Sequence, residues 1–142
     1  VQFGISPAGN IDNLYLSWSY YCDVKKWMNS NKYIDYICPQ IYWTFTNKTC
    51  PFKKTCLRWA KLPRNKNVKL YIGLAGYRAG LSKSQAKAVS DIGWSKSNTI
   101  LKREVLYGRS TKKVSGYVLF SYADLSRKAA SKEIANLKKI FK

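Results

Sequence analysis

Acid–base chemistry in this chain rests on carboxylates, because the chain contains no histidine. That absence excludes a Ser-His-Asp triad, a Cys-His pair and histidine-based metal sites within these residues. Phosphate loops of the Gly-x-Gly-x-x-Gly or Gly-Lys-Ser/Thr type are also missing. The seven carboxylates are Asp12, Asp23, Asp35, Asp91, Glu104, Asp124 and Glu133. Asp91, Glu104 and Glu133 lie in helical pattern, Asp23 reads as a helix start, and Asp35 as a strand entrance. Asp12 and Asp124 alone follow the tips of apolar runs. Hydrolysis by paired carboxyls needs the two groups about 5 to 9 Å apart. Asp12 and Asp124 are the one candidate pair for it, set against the ordinary role of loop aspartates as caps and turns.

The elements that must position such groups are four short apolar runs, each ending in polar or aromatic residues. Gln2–Asn10 breaks into Ser-Pro-x-Gly, Asp35–Trp43 ends in Pro-Gln-Ile-Tyr-Trp, Lys69–Arg78 ends in Gly-Tyr-Arg, and Val114–Leu125 ends in Ser-Tyr-Ala-Asp-Leu. Near-continuous apolar runs are expected of parallel strands buried on both faces. Proline, glutamine, tyrosine and tryptophan are poor core material, but they suit a surface that grips a flat, hydroxyl-rich ligand.

Helical patterns separate the runs: Asp23–Met28, Thr55–Leu62, one or two helices in Ser82–Leu106, and a last helix from about Ser126. Ser82 and Ser84 are candidate N-caps. Ile100, Leu101, Val105 and Leu106 predict one apolar face. Ala129, Ile134, Leu137, Ile140 and Phe141 predict another. The order βαβαβαβα is that of a parallel sheet with covering helices.

The 142 residues suit one domain, with no linker dividing it. A full eight-stranded α/β barrel takes about 250 residues, or roughly 31 per βα unit, so four units fit half a barrel. The chain opens with Val1 directly on a strand and shows no signal peptide, which predicts a start inside a larger protein. No apolar run approaches the roughly 18 residues of a membrane span. The net charge of +19, from 26 Lys and Arg against 7 Asp and Glu, predicts salt-sensitive attraction to polyanions: nucleic acid, anionic cell-wall polymer or lipid headgroups. Most of these cations sit in helices and loops. Cys50 and Cys56 enclose five residues, a spacing too loose for a redox pair. A local disulfide in an exported protein is the expectation. Cys22 is expected to be free and Cys38 to be buried. Neither a metal site nor a cofactor is implied.

Phe-Gly-Ile-Ser-Pro-Ala-Gly (Phe3–Gly9), Asp-Tyr-Ile-Cys-Pro-Gln-Ile-Tyr-Trp (Asp35–Trp43), Leu-Tyr-Ile-Gly-Leu-Ala-Gly-Tyr-Arg (Leu70–Arg78) and Gly-Tyr-Val-Leu-Phe-Ser-Tyr-Ala-Asp-Leu (Gly116–Leu125) occur in this order. Over nearly its whole length the chain resembles the glycosyl-hydrolase-like family ten of bacterial cell-envelope proteins. The resemblance implies an α/β fold, half of a (β/α)8 TIM barrel. Its four parallel strands would be the fifth to eighth of the full barrel. It implies hydrolysis of bacterial cell-wall glycan, peptidoglycan included, by a secreted or cell-envelope protein. The family's first half carries a Phe-Asp-Asp-Tyr strand tip with the acidic residues. No stretch here matches it, so the resemblance implies that this chain is the substrate-binding half and inactive alone.

For such a half, Tyr42, Trp43, Tyr77 and Tyr122 supply faces against sugar C–H groups. Ser6, Asn10, Gln40, Arg78 and Ser121 supply hydrogen bonds. Strand alternation puts Cys38, Gln40 and Tyr42 on one face and Pro39, Ile41 and Trp43 on the other, and the first set is expected to face the barrel axis. Two open sheet edges predict a homodimer or pairing with the missing half barrel. Two other functions are compatible with the residues. One is a non-catalytic carbohydrate-binding or interaction module. The other is a basic nucleic-acid-binding domain, which lacks any recognised motif and any lysine-interleaved aromatics, so specific nucleic acid is not expected as a partner.

Overall fold

The four apolar runs become four strands: β1 (Gly4–Ile5), β2 (Tyr36–Ile37), β3 (Lys69–Leu74) and β4 (Gly116–Leu119). In the computed structural model, which describes residues 1–15 and 20–141, they form one sheet in the order β1-β2-β3-β4. Every pairing is parallel. The regular strands are short, but the ladder runs on into their tips. The Cys38 N–H donates to the Ile5 carbonyl, Gln40 N–H to Pro7, Gly73 N–H to Pro39, and Ile41 N–H to Gly73, all at 2.8–3.0 Å.

Helices separate the strands: α1 (Ile11–Leu14) and α2 (Val24–Met28) follow β1, α3 (Phe52–Lys61) follows β2, α4 (Lys83–Ala88) and α5 (Ile100–Ser110) follow β3, and α6 (Tyr122–Leu125) and α7 (Ser131–Lys138) follow β4. This is an α/β architecture, half of a (β/α)8 barrel. The helix starts follow capping chemistry. Asp23 accepts from the Lys26 N–H at the head of α2, and Ser82 forms a reciprocal capping box with Gln85 at α4. Ser84 lies inside α4.

The core lies between sheet and helices, where Ile37, Leu70, Ile72, Leu74, Phe52, Trp59 and Leu101 are fully buried. At about 25 cal/mol per Å² of apolar surface, each such side chain contributes roughly 1.5–3 kcal/mol. The Tyr117 hydroxyl donates to the Val105 carbonyl of α5 at 2.8 Å, so Tyr117 faces the helices. Alternation then turns its neighbours Gly116 and Val118 to the opposite, concave face. On that face Tyr36 and Tyr71 meet edge to face, their centroids 5.4 Å apart. A methyl group at Gly4 would strike the Tyr36 ring, and one at Gly116 would crowd Tyr71. Val118 and Phe120 are 49% and 58% exposed there.

Three expectations are corrected. On α5, Leu106 is exposed and Glu104 takes the buried position beside Leu101 and Val105. The last helix begins at Ser131, after a 3-10 turn at Lys128–Ala130, and Ala130 rather than Ala129 is buried. All four cysteines are unpaired, so the Cys50–Cys56 bridge is not formed. Pro51 N-caps α3 between them. Cys50 therefore stays in the loop, its N–H on the Asn47 side chain. Cys56 turns into the core, where burial pushes its thiol up to about 12. Cys38 is buried, with its thiol pushed up to about 11 by the same cause. No helix among the described residues is long and apolar enough to cross a membrane.

Candidate functional site

The strand tips converge at the C-terminal end of the sheet, the end where barrel sites are built. At the β1 tip, exposed Ser6 donates its hydroxyl to the Cys38 carbonyl at 2.8 Å. Its own carbonyl accepts from the Gln40 side-chain amide at 2.9 Å. Gln40 is thus tied across two strands. Gly9 follows, and only a hydrogen fits there, because a methyl would collide with the Gln40 carbonyl and the Trp43 ring. The Trp59 indole N–H reaches the Gly9 carbonyl at 2.7 Å, so one loop is wedged between two tryptophans. Asn10 caps α1, accepting from the Asp12 N–H at 3.2 Å.

At the β2 tip the two aromatics diverge. Trp43 goes to Gly9, while Tyr42 leans the other way onto Tyr77, edge to face with centroids 5.6 Å apart. Tyr42 also stacks on Phe120 at 6.4 Å, and Tyr77 meets Phe120 at 6.2 Å. These three rings from β2, β3 and β4 form one aromatic platform. Burial first, then Tyr77, pushes the Tyr42 phenol up to about 12, so it acts as a neutral O–H at ordinary pH. Arg78 packs over the Tyr77 ring at 5.3 Å and donates through Nη1 to the Tyr42 carbonyl at 2.6 Å. Its Nε is buried without a partner.

Two aspartates and one arginine hold the platform. Buried Asp91 accepts from the Thr44 N–H at 2.8 Å and the Thr44 hydroxyl at 2.7 Å, pinning the chain just past Tyr42 and Trp43. Arg127 donates to the Tyr77 and Ala79 carbonyls at 2.7 and 3.2 Å and stands 3.4 Å from Asp124. Asp124 accepts from both the N–H and the hydroxyl of Ser121, so Ser121 and Asp124 form the capping box of α6.

The sequence-selected residues therefore separate into groups. Tyr42, Tyr77 and Arg78 meet, and so do Ser6 and Gln40. Trp43 lies against Gly9, and Tyr122 stands 89% exposed at the start of α6. Asp12 makes a two-pronged contact with Arg58, at 2.6 and 2.9 Å, and that hydrogen bonding holds its carboxyl below the usual range. Asp12 and Asp124 follow opposite edge strands, three inter-strand steps or about 14 Å of sheet apart. Each already has a structural partner. Phe120 escaped sequence reasoning because it sits inside an apolar run. Its alternation with Leu119, which packs towards the core, was the signal that marks it. Asp91 lies in helical pattern by sequence, whereas in the structure it occupies the N-cap position before the Ile92–Ser95 3-10 helix. Among the described residues no group of three or more Cys, Asp or Glu side chains is placed to hold a metal ion.

The profile of the family described as glycosyl hydrolase-like 10 matches residues 1–91. Over 151 residues the chain is 27% identical to glycosyl hydrolase DigH of Escherichia coli strain K12, an alignment covering 96% of this chain and 33% of that protein. It is 29% identical over 146 residues to glycosyl hydrolase YngK of Bacillus subtilis strain 168, covering 89% of this chain and 26% of that protein. The chain spans a third or less of the length of these curated relatives.

Proposed function

Because the chain belongs to the glycosyl hydrolase-like 10 family, we propose that it is the substrate-binding half, the fifth to eighth βα units, of a barrel that hydrolyses glycosidic bonds in bacterial cell-wall glycan. The observation that carries this reading is the platform of Tyr42, Tyr77 and Phe120 at the strand tips. Its rings come from three strands, Phe120 is more than half exposed, and a guanidinium lies against it. Aromatic faces with a few fixed polar groups are what sugar rings require. Arg78 suits a carboxylate substituent of the glycan, such as a lactyl group.

The acid and the base come from outside these residues, since Asp12 and Asp124 are engaged as ion pair and cap. The chain alone is therefore inactive. The exposed concave face and the β1 and β4 edges call for cover, by the first four βα units or by a second copy. A secreted or cell-envelope location follows from the substrate.

The test is binding of peptide-free glycan strands by calorimetry, with release of reducing ends measured in parallel. The chain is expected to bind without releasing ends. Tyr42→Ala is expected to weaken binding by about 1–3 kcal/mol, roughly 5- to 150-fold. Hydrolysis that disappears in Asp12→Asn or Asp124→Asn would place the catalytic carboxylates in this half and overturn the division of labour.

A further inference from the structure

The end of the sheet opposite the strand tips carries a cleft of about 700 Å³. It lies between the connection from α3 to β3 and the connection from α5 to β4. Its charged lining residues are Lys61, Arg64, Lys66 and Lys113, with no acidic residue among them. The ion pairs among the described residues, Arg58–Asp12 and Arg127–Asp124, lie elsewhere.

Arg64 is the built element. Its Nη2 donates to the Lys113 carbonyl at 2.9 Å, which clamps the two connections together and fixes the guanidinium plane. Its Nη1 is buried with no acceptor among the described residues. A buried N–H donor left unsatisfied is destabilising, more so when charged, and the adjoining lysines add charge that no ion pair among the described residues neutralises. An anionic acceptor would complete this donor set.

We propose that this cleft binds a phosphate group carried on a flexible, non-aromatic chain, as in a phosphodiester-linked polyol polymer. A guanidinium fork fits phosphate oxygens, and flanking ammonium groups serve it as point charges. Apolar contact in the cleft comes from Leu57, Ala60, Leu62 and Pro63. No aromatic face is present on which a base would stack, as single-stranded nucleic acid requires. The guanidinium sits in a concavity, which a flat bilayer surface does not enter.

Calorimetric titration of the protein with poly(glycerol phosphate) tests this. Affinity should appear at low salt and fall on the order of tenfold or more between about 50 and 200 mM salt. Arg64→Lys should weaken it by about tenfold, because a point charge replaces the fork. Lys61→Gln with Lys66→Gln, both exposed, should weaken it comparably. Lys138→Gln with Lys139→Gln removes equal charge outside the cleft and should leave affinity within about twofold. Inorganic phosphate should compete in the wild type. Equal losses from the two lysine pairs would mean diffuse attraction and overturn the site. Tighter binding of a DNA oligomer, or of phosphatidylglycerol vesicles, at matched phosphate would overturn the choice of ligand. Absence of any polymer binding at low salt would refute both. Glycan binding at the strand tips is unaffected by these variants, so the two readings fail separately.

Discussion

The two ends of the sheet treat charge in opposite ways. At the strand tips the acids are paired: Asp12 with Arg58, Asp124 with Ser121 and Arg127, Asp91 with Thr44. At the other end Lys61, Arg64, Lys66 and Lys113 share a cleft with no acid. With only seven carboxylates against 26 cations, placing three at the tips leaves few for the base, where Asp35 is taken up by the Phe3 N–H and the cleft lining has none. The difference assigns the ends distinct work. The tips hold aromatic, amide and guanidinium groups in fixed positions, and the cleft at the base gathers cations. Rigidity at the tips is what ligand orientation needs.

The largest effect is expected where that rigidity is concentrated. Asp91→Ala removes two hydrogen bonds to a carboxylate and leaves the buried Thr44 N–H without an acceptor. A loss of about 3 kcal/mol is expected, since charged hydrogen bonds contribute roughly 1.5–3 kcal/mol each and do not add fully. Guanidinium unfolding measures it. Glycan affinity should fall as well, because Thr44 anchors the segment that carries Tyr42. A neutral result would break the comparison, for the tip acids would then be dispensable to the architecture.

Much of the fold was legible in the sequence, for a physical reason. Parallel strands buried on both faces read as unbroken apolar runs, and all four runs became strands. Ser82 and Asp23 announced helix starts because capping chemistry is local. Side-chain direction was harder to read. Polar residues are ordinarily assigned to the water side, so Leu106 was given the core position that Glu104 holds. Cys50 and Cys56 are close in sequence, but the helix that Pro51 caps turns one into the core and leaves the other in the loop. At the candidate site, the place of Tyr42, Tyr77 and Arg78 after apolar runs singles them out, and the structure brings the three into contact. Phe120 is not singled out, since an apolar residue inside an apolar run looks like core until the strand's pleat is known. The anchoring of Thr44 by Asp91 spans 47 positions, and nothing local encodes it.

Glu104 sharpens the comparison, because it is an acid that neither end uses and that has no hydrogen bond among the described residues. It is fully buried in α5, and neither carboxylate oxygen has a partner. Burial first, then the nearby Glu133 and Asp91, raises its carboxyl well above the usual value of 4.5. A folded value above the unfolded one means that the stabilising contribution is complete below about pH 4.5 and is lost as pH rises through the folded value. Glu104→Gln keeps the shape and removes the ionisation. It is expected to match the wild type near pH 4 and to gain on the order of 1 kcal/mol, about 4 °C in Tm, at pH 8. Thermal melts across pH decide this. A wild-type Tm that rises steadily from pH 5 to 8 and exceeds the variant's would mean that Glu104 has a charged partner after all.

The smallest effect is expected at the exposed edge of the tips. The Asp12 and Arg58 side chains are 66% and 42% exposed. Their two-pronged contact is well shaped, yet water and salt screen it. The Arg58 hydrogen bond lowers the Asp12 carboxyl below 3.8, so its stabilising contribution is present above that value and lost as pH falls through the depressed one. Asp12→Asn should therefore be indistinguishable from the wild type near pH 2. At pH 7 and low salt it should cost no more than about 0.5 kcal/mol, the scale of an exposed pair. In about 1 M salt, where the screening length is roughly 3 Å, that difference should vanish. In a completed barrel the same substitution should leave turnover within about tenfold, or roughly 1.4 kcal/mol of barrier. Denaturant melts and reducing-end assays on one variant thus separate two roles for a single carboxylate. A small stability cost with intact turnover fits a rim ion pair. A small stability cost with abolished turnover would make Asp12 catalytic, and the acids at the tips would no longer be structural alone.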